Sequence, residues 1–138
     1  MQKMYDRMQT QNKDTRLYDH NILNVVNELC MNYKIQPNDI LEMGTRKEGT
    51  IEAKRLLVYY LSKCKDVSHN KMKKYINGMH HATSIYHQKR LEELFKIEKK
   101  LQKLFLQIVH KCDPEKLFEM KKNPILKTEL KEYLYNNY

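Results

Sequence analysis

The chain carries six histidines and three cysteines, the side chains best suited to hold a metal or act as nucleophiles. His81 and His87 are close in sequence, but six residues on a helix put them on different faces. Two imidazoles sharing one ion need the i, i+4 spacing instead. Cys30, Cys64 and Cys112 are odd in number and widely separated, so they form neither a disulfide framework nor a CxxC clip and read as buried or idle thiols. No nucleophile elbow, paired-carboxylate motif or GxxxxGK[ST] phosphate loop is present. The expectation is a non-enzyme with no metal and no cofactor.

The remaining chemistry is charge. The 138 residues hold 26 Lys+Arg against 17 Asp+Glu, a formal net charge of +9. From Gly44 to Arg90 there are eleven basic residues (Arg46, Lys47, Lys54, Arg55, Lys63, Lys65, Lys71, Lys73, Lys74, Lys89 and Arg90) against Glu48, Glu52 and Asp66, a net of +8. The rest of the chain is nearly balanced, at 15 basic and 14 acidic residues. A surface for phosphates is therefore expected in the central third, because a polyanion rewards clustered cations.

The elements that position these charges read as helices nearly throughout. Only 3 Gly and 3 Pro interrupt stretches rich in Lys, Leu, Glu, Met and Tyr. Residues 1–18 lack an apolar period and are expected to be a frayed, weakly structured arm or a helix that needs a partner, with residues 19–138 forming a single helical domain. Ile22, Val25, Val26, Leu29 and Cys30 predict a helix with one buried face, capped by Asp19 or Asn21. Pro37 suits the first turn of a short helix with Ile40 and Leu41 inward. The GTRKEGT stretch, between two glycines, predicts an exposed basic loop. Residues 50–64 have too broad an apolar set for a surface helix and predict the central, most buried one.

After that helix, Asp66 or Ser68 can cap a short helix VSHNKMKKYI. Asn77-Gly78 supplies the positive-φ residues of a tight turn, and a second helix starts near His80 or His81. Short helix, glycine turn and second helix inside the basic third make a helix-turn-helix by mechanism, with the second helix presenting its first residues to the major groove.

The stretch from Ile40 to Leu94 resembles the origin-binding C-terminal domain of the bacterial replication initiator DnaA in order and spacing. That family has a helix, a basic loop with an arginine, and a helix reading roughly E-A-R-Q-x-A-x-Y. A Ser-capped helix, a Gly-rich turn and a D-H-x-T signature follow. Here Arg46 and Lys47 occupy the loop, Glu52-Ala53-Lys54-Arg55 and Tyr59 the long helix, Ser68 the cap and Asn77-Gly78 the turn, while His80-His81-Ala82-Thr83 stands at the signature. No nucleotide-binding part accompanies it.

The resemblance implies sequence-specific double-stranded DNA binding, in replication initiation or its regulation. It places Arg46 in the minor groove and His81 and Thr83 on base edges in the major groove, with Ala82 against a thymine methyl. His80 stands where the family has an aspartate and Met79 where it has an arginine, so a changed base preference is expected. Lys47, Lys54, Arg55, Lys71 and Lys74 complete the expected DNA-binding set. Lys73 replaces a family glycine, and Ser84, His87 and Gln88 replace apolar or small residues.

Beyond Leu94 the sequence continues without Gly or Pro to Cys112, predicting one helix of about 30 residues. Its Leu91, Leu94, Leu101, Phe105 and Ile108 track heptad positions. They form either a coiled-coil seam for a homodimer or a stripe covered by two short C-terminal helices, begun at Asp113-Pro114-Glu115 and Asn123-Pro124. The ten tyrosines read as half-buried rings in preference to base-stacking platforms. With no signal-peptide core and no long apolar run, the expected location is the cytoplasm, at the nucleoid. The alternative reading is a helical protein-interaction adaptor or transcriptional regulator that kept the fold but not recognition of DnaA-type sites.

One consequence concerns Arg46. An arginine in a narrow minor groove gains mostly electrostatic energy, so Arg46→Ala should weaken binding to many duplexes and lower the salt slope by about one. Titrations across a salt series check this, and an unchanged slope would remove Arg46 from the interface.

Overall fold

The computed structural model describes residues 18–44 and 47–137, and all regular structure within them is helical apart from one isolated backbone bridge between Glu42 and Asn77. The arm expected over residues 1–18 lies outside the described residues except for Tyr18, and Arg46 lies outside them too. Tyr18 belongs to the folded body: it is buried, and its hydroxyl donates to the Tyr75 carbonyl at 2.7 Å. Among the described residues no helix is long and apolar enough to cross a membrane.

Helix α1 (His20–Tyr33) begins where Asp19 accepts from the Ile22 N–H at 2.9 Å, and it buries Ile22, Leu23, Val25, Val26, Leu29 and Cys30 along one side. Lys34 ends it in the left-handed region, φ 54°, with its N–H on the Cys30 carbonyl. Helix α2 (Pro37–Leu41) has proline in its first turn and the Asp39 carboxylate accepting from the Gln36 N–H at 2.8 Å.

Helix α3 (Glu48–Cys64) is the centre of the fold. Ala53, Leu56, Leu57, Val58, Tyr59, Tyr60, Leu61 and Cys64 are all buried, and α1, α2 and the later helix starting at His81 pack around it. It starts earlier than expected: Gly49 lies in its first turn, so the basic loop is shorter than GTRKEGT.

The long helix expected from His80 to Cys112 is two. Helix α4 (His81–Ile97) and helix α5 (Lys99–Cys112) meet at Glu98, whose backbone is extended. The cause lies in tertiary packing. Phe95 and Phe105 have ring centroids 5.8 Å apart, whereas ten residues of straight helix would separate them by about 15 Å. The Gln102 side-chain amide donates to the Phe95 carbonyl and satisfies an acceptor that the helix end leaves open. The heptad stripe is covered within the chain, the second of the two readings. Leu91, Leu101, Phe105 and Ile108 are buried within the chain, with Leu94 packed at the edge of the core.

Helix α6 (Pro114–Glu119), a 3₁₀ turn at Met120–Lys122 and helix α7 (Lys127–Asn137) close the fold over α5. Asn123 holds the last corner, its Oδ1 accepting from the N–H groups of Ile125 and Leu126 at 2.9 and 3.2 Å. Asp113, expected as a helix cap, makes no capping side-chain bond. Its buried carboxylate instead accepts from the Tyr60 hydroxyl at 2.8 Å and faces Lys65 Nζ at 3.6 Å. Lys65 also donates to Asp19 at 2.8 Å, joining the start of α1, the end of α3 and the start of α6. Burial disfavours the Lys65 ammonium, but Asp19 and Asp113 outweigh it and raise its pKa.

Removing the carboxylate strands a buried hydroxyl. Asp113→Ala should cost roughly 2–4 kcal/mol of unfolding free energy in urea titrations, and Asp113→Asn, which keeps an acceptor for Tyr60, distinctly less. Equal losses in the two variants would show that the hydrogen bond from Tyr60 contributes nothing.

Candidate nucleic-acid interface

The helix expected after Ser68 is a 3₁₀ helix, His69–Lys74. The sequence HNKMKK offers one apolar anchor, Met72, which is fully buried. The tight i→i+3 winding carries it inward and leaves Lys71, Lys73 and Lys74 exposed. The following turn is pinned twice. Ile76 and Met79 are buried, and the Asn77 N–H donates to the Leu41 carbonyl at 2.7 Å. The Asn77 side chain donates to the Glu42 carboxylate at 2.8 Å. Gly78 alone takes positive φ, +84°; Asn77, expected to share that role, does not.

His80 occupies the cap position of α4, extended at ψ 154°. His80, His81 and Ala82 are exposed, Thr83 is half-buried, and Tyr86 and Lys89 continue the exposed face along the helix. No Asp or Glu occurs from Val67 to Leu91, so the exposed charge of this whole stretch has one sign.

The inner face of α4 is polar near its start. Ser84 Oγ meets His69 Nδ1 at 2.6 Å, so the 3₁₀ helix and α4 are bonded one turn into α4. Arg55 Nε donates toward His87 Nδ1 at 3.4 Å, and Ser62 donates to Gln88 Oε1 at 3.2 Å. Ser84, His87 and Gln88 thus each have a polar partner on the element behind them. Burial, with Arg55 and Lys54 adding repulsion, lowers the His87 pKa to about 4. The imidazole is neutral near pH 7, and its Nδ1 is free to accept from Arg55.

The expected site residues divide. Lys71, Lys74, His80, His81, Ala82 and Thr83 are brought together on the 3₁₀ helix and the first turn of α4. Arg55 is half-buried, joined to His87, with its guanidinium 5.9 Å from the Tyr86 ring centroid. Lys47 is exposed at the cap position of α3. Lys54 is a correction: at 3% exposure its Nζ donates to the Glu42 carbonyl at 2.6 Å, so it ties α3 to the end of α2 and does not face solvent. Burial lowers its pKa, against the opposing pull of Asp39 and Glu42.

Lys73 and Lys89, counted in the basic third but not in the expected DNA-binding set, are exposed beside these residues, as is Tyr86. The signal was the spacing of Ala82, Tyr86 and Lys89, four and then three residues apart, which sets them on one helical face.

The three cysteines are free and buried, and burial raises Cys30 and Cys112 to about 11 and Cys64 to about 12. Among the described residues no group of three His, Cys, Asp or Glu is placed to hold a metal. Comparison of the chain with protein-family models, curated proteins and solved structures gives no match.

His87 makes the fold acid-sensitive. Its pKa is about 4 when folded, against an ordinary value of 6.5. The stability of the neutral form is complete above pH ~6.5, declines as pH falls toward ~4, and changes no further below that. The loss is worth roughly 3 kcal/mol. His87→Gln should flatten that part of the urea-midpoint profile, and identical slopes in both proteins would refute the assignment.

Proposed function

We propose that the chain binds double-stranded DNA sequence-specifically, with the first turn of α4 in the major groove and the 3₁₀ helix on the flanking backbone. The observation that carries this reading is the acid-free stretch from Val67 to Leu91, in which exposed lysines precede a pinned turn and an exposed helix start. A DNA reader needs both parts: cations that release condensed counterions, and short polar side chains that reach base edges.

In this reading Lys71, Lys73 and Lys74 contact phosphates. His81 and Thr83 contact base edges, Ala82 packs on a thymine methyl, and His80 presents an imidazole where the resembled family has a carboxylate. Arg55 acts from behind, held by His87 and Tyr86. The role in replication initiation or its regulation rests on the sequence resemblance to the DnaA domain.

Two sets of variants separate affinity from readout. Replacing Lys71 and Lys74 together by Ala should weaken specific and unrelated duplexes alike and lower the salt slope by roughly two. Thr83→Ala should cost about 1–3 kcal/mol on the preferred site, selected from a random duplex library, and leave unrelated duplex almost unchanged. Circular dichroism and thermal midpoints confirm folding first, since Thr83 is half-buried. A Thr83 effect of equal size on both duplexes would mean that α4 does not read bases. Absence of any duplex binding at ~50 mM salt would end the reading altogether.

A further inference from the structure

A second basic surface lies at the other end of the chain, in the extension past the DnaA-like stretch. A hollow of about 290 Å³ is lined by Lys121, Lys127, Leu130, Lys131 and Leu134. Its apolar lining comes from Leu134, half-buried on α7, with the buried Leu130 one turn earlier beneath it. Lys127 and Lys131 stand beside them at the same i, i+4 spacing, and Lys121 comes from the preceding 3₁₀ turn. Lys121 Nζ lies 5.5 Å from the Phe118 ring centroid, which fixes its direction. On the far side of Lys131 a second hollow, of about 360 Å³, includes Tyr135, 86% exposed, with Glu132 its one carboxylate among the lining residues.

We propose that this groove docks an acidic amphipathic helix of another protein. An apolar lining bordered by lysines complements a segment that presents Leu or Phe on one stripe and Asp or Glu beside it. Duplex DNA would use the lysines but leave the apolar lining uncovered, whereas an amphipathic helix engages both. Charge disfavours the chain itself as occupant. Its first seventeen residues carry Lys3, Arg7, Lys13 and Arg16 against Asp6 and Asp14, and a second copy brings a net charge of +9. The span from Lys127 to Leu134 is about two helical turns, so a partner helix of two to three turns covers it.

The test uses the full chain and two labelled synthetic helices. One has leucines at three- and four-residue spacing flanked by glutamates; the other has lysine at every glutamate. Fluorescence anisotropy should show the acidic helix binding with a dissociation constant in roughly the micromolar range and the basic helix not binding. The paired substitution Lys127→Glu with Lys131→Glu changes exposed side chains only. It should weaken the acidic helix about tenfold or more and leave duplex DNA affinity unaltered. Leu134→Ala should weaken the helix without changing salt dependence. No binding of the acidic helix overturns the proposal. So does a charge-reversed variant that loses duplex DNA as strongly as it loses the helix, since the groove would then be a nucleic-acid surface.

Discussion

The fold turns on one ring. Tyr59, near the middle of α3, is completely buried, and Phe95 of α4 and Phe105 of α5 meet it edge-on with centroids 5.3 Å away. Its hydroxyl accepts from the Asn123 side chain at 2.7 Å, so the last corner of the chain is fastened to the same residue. Burial raises the Tyr59 pKa to about 12, which keeps the phenol protonated. Each aromatic pair contributes about 0.5–1.5 kcal/mol beyond the area it buries. More important is what the cluster dictates. Phe95 and Phe105 reach the same ring only if the chain bends between them, and the bend at Glu98 is the result.

That bend decides how α4 is held. Its C-terminal half is fixed by Leu91 and Phe95, both fully buried. Its N-terminal half is fixed by Ser84, His87 and Gln88, through hydrogen bonds to His69, Arg55 and Ser62. A typical hydrogen bond contributes only about 1 kcal/mol net, but each is directional where apolar contact is not. The end of α4 bearing the exposed residues is therefore set in register by geometry, and the far end by burial.

Much of this was legible in the sequence because it is local. The Asp19 cap, the proline-started α2, the buried α3 and the Gly78 turn each follow from residues within a few positions of one another. The break at Glu98 was not legible, since no Gly or Pro marks it and its cause joins residues 95 and 105 to residue 59. The 3₁₀ winding of His69–Lys74 was missed for a related reason: a single apolar residue in six fits either helix type. Lys54 is different. Its neighbours Ala53, Leu57 and Val58 already announce a helix buried on nearly every side, and a lysine there has little surface to reach.

The correction to Lys54 changes the electrostatics of the candidate interface. Of the eleven basic residues between Gly44 and Arg90, Lys54 is spent on a backbone carbonyl inside the fold, and Lys65 is matched by Asp19 and Asp113. Arg90 is shared with Glu93 at 3.3 Å. The net of +8 thus overstates what a polyanion would meet. Of what remains exposed, Lys71, Lys73 and Lys74 lie within four residues of one another and just ahead of His80 and His81, while Lys47, Lys63 and Lys89 are spread along α3 and α4. Screening limits the reach of surface charge to about 8 Å at physiological salt. Under that limit, a few lysines close to the first turn of α4 attract a polyanion to that place more than a larger number spread over the surface.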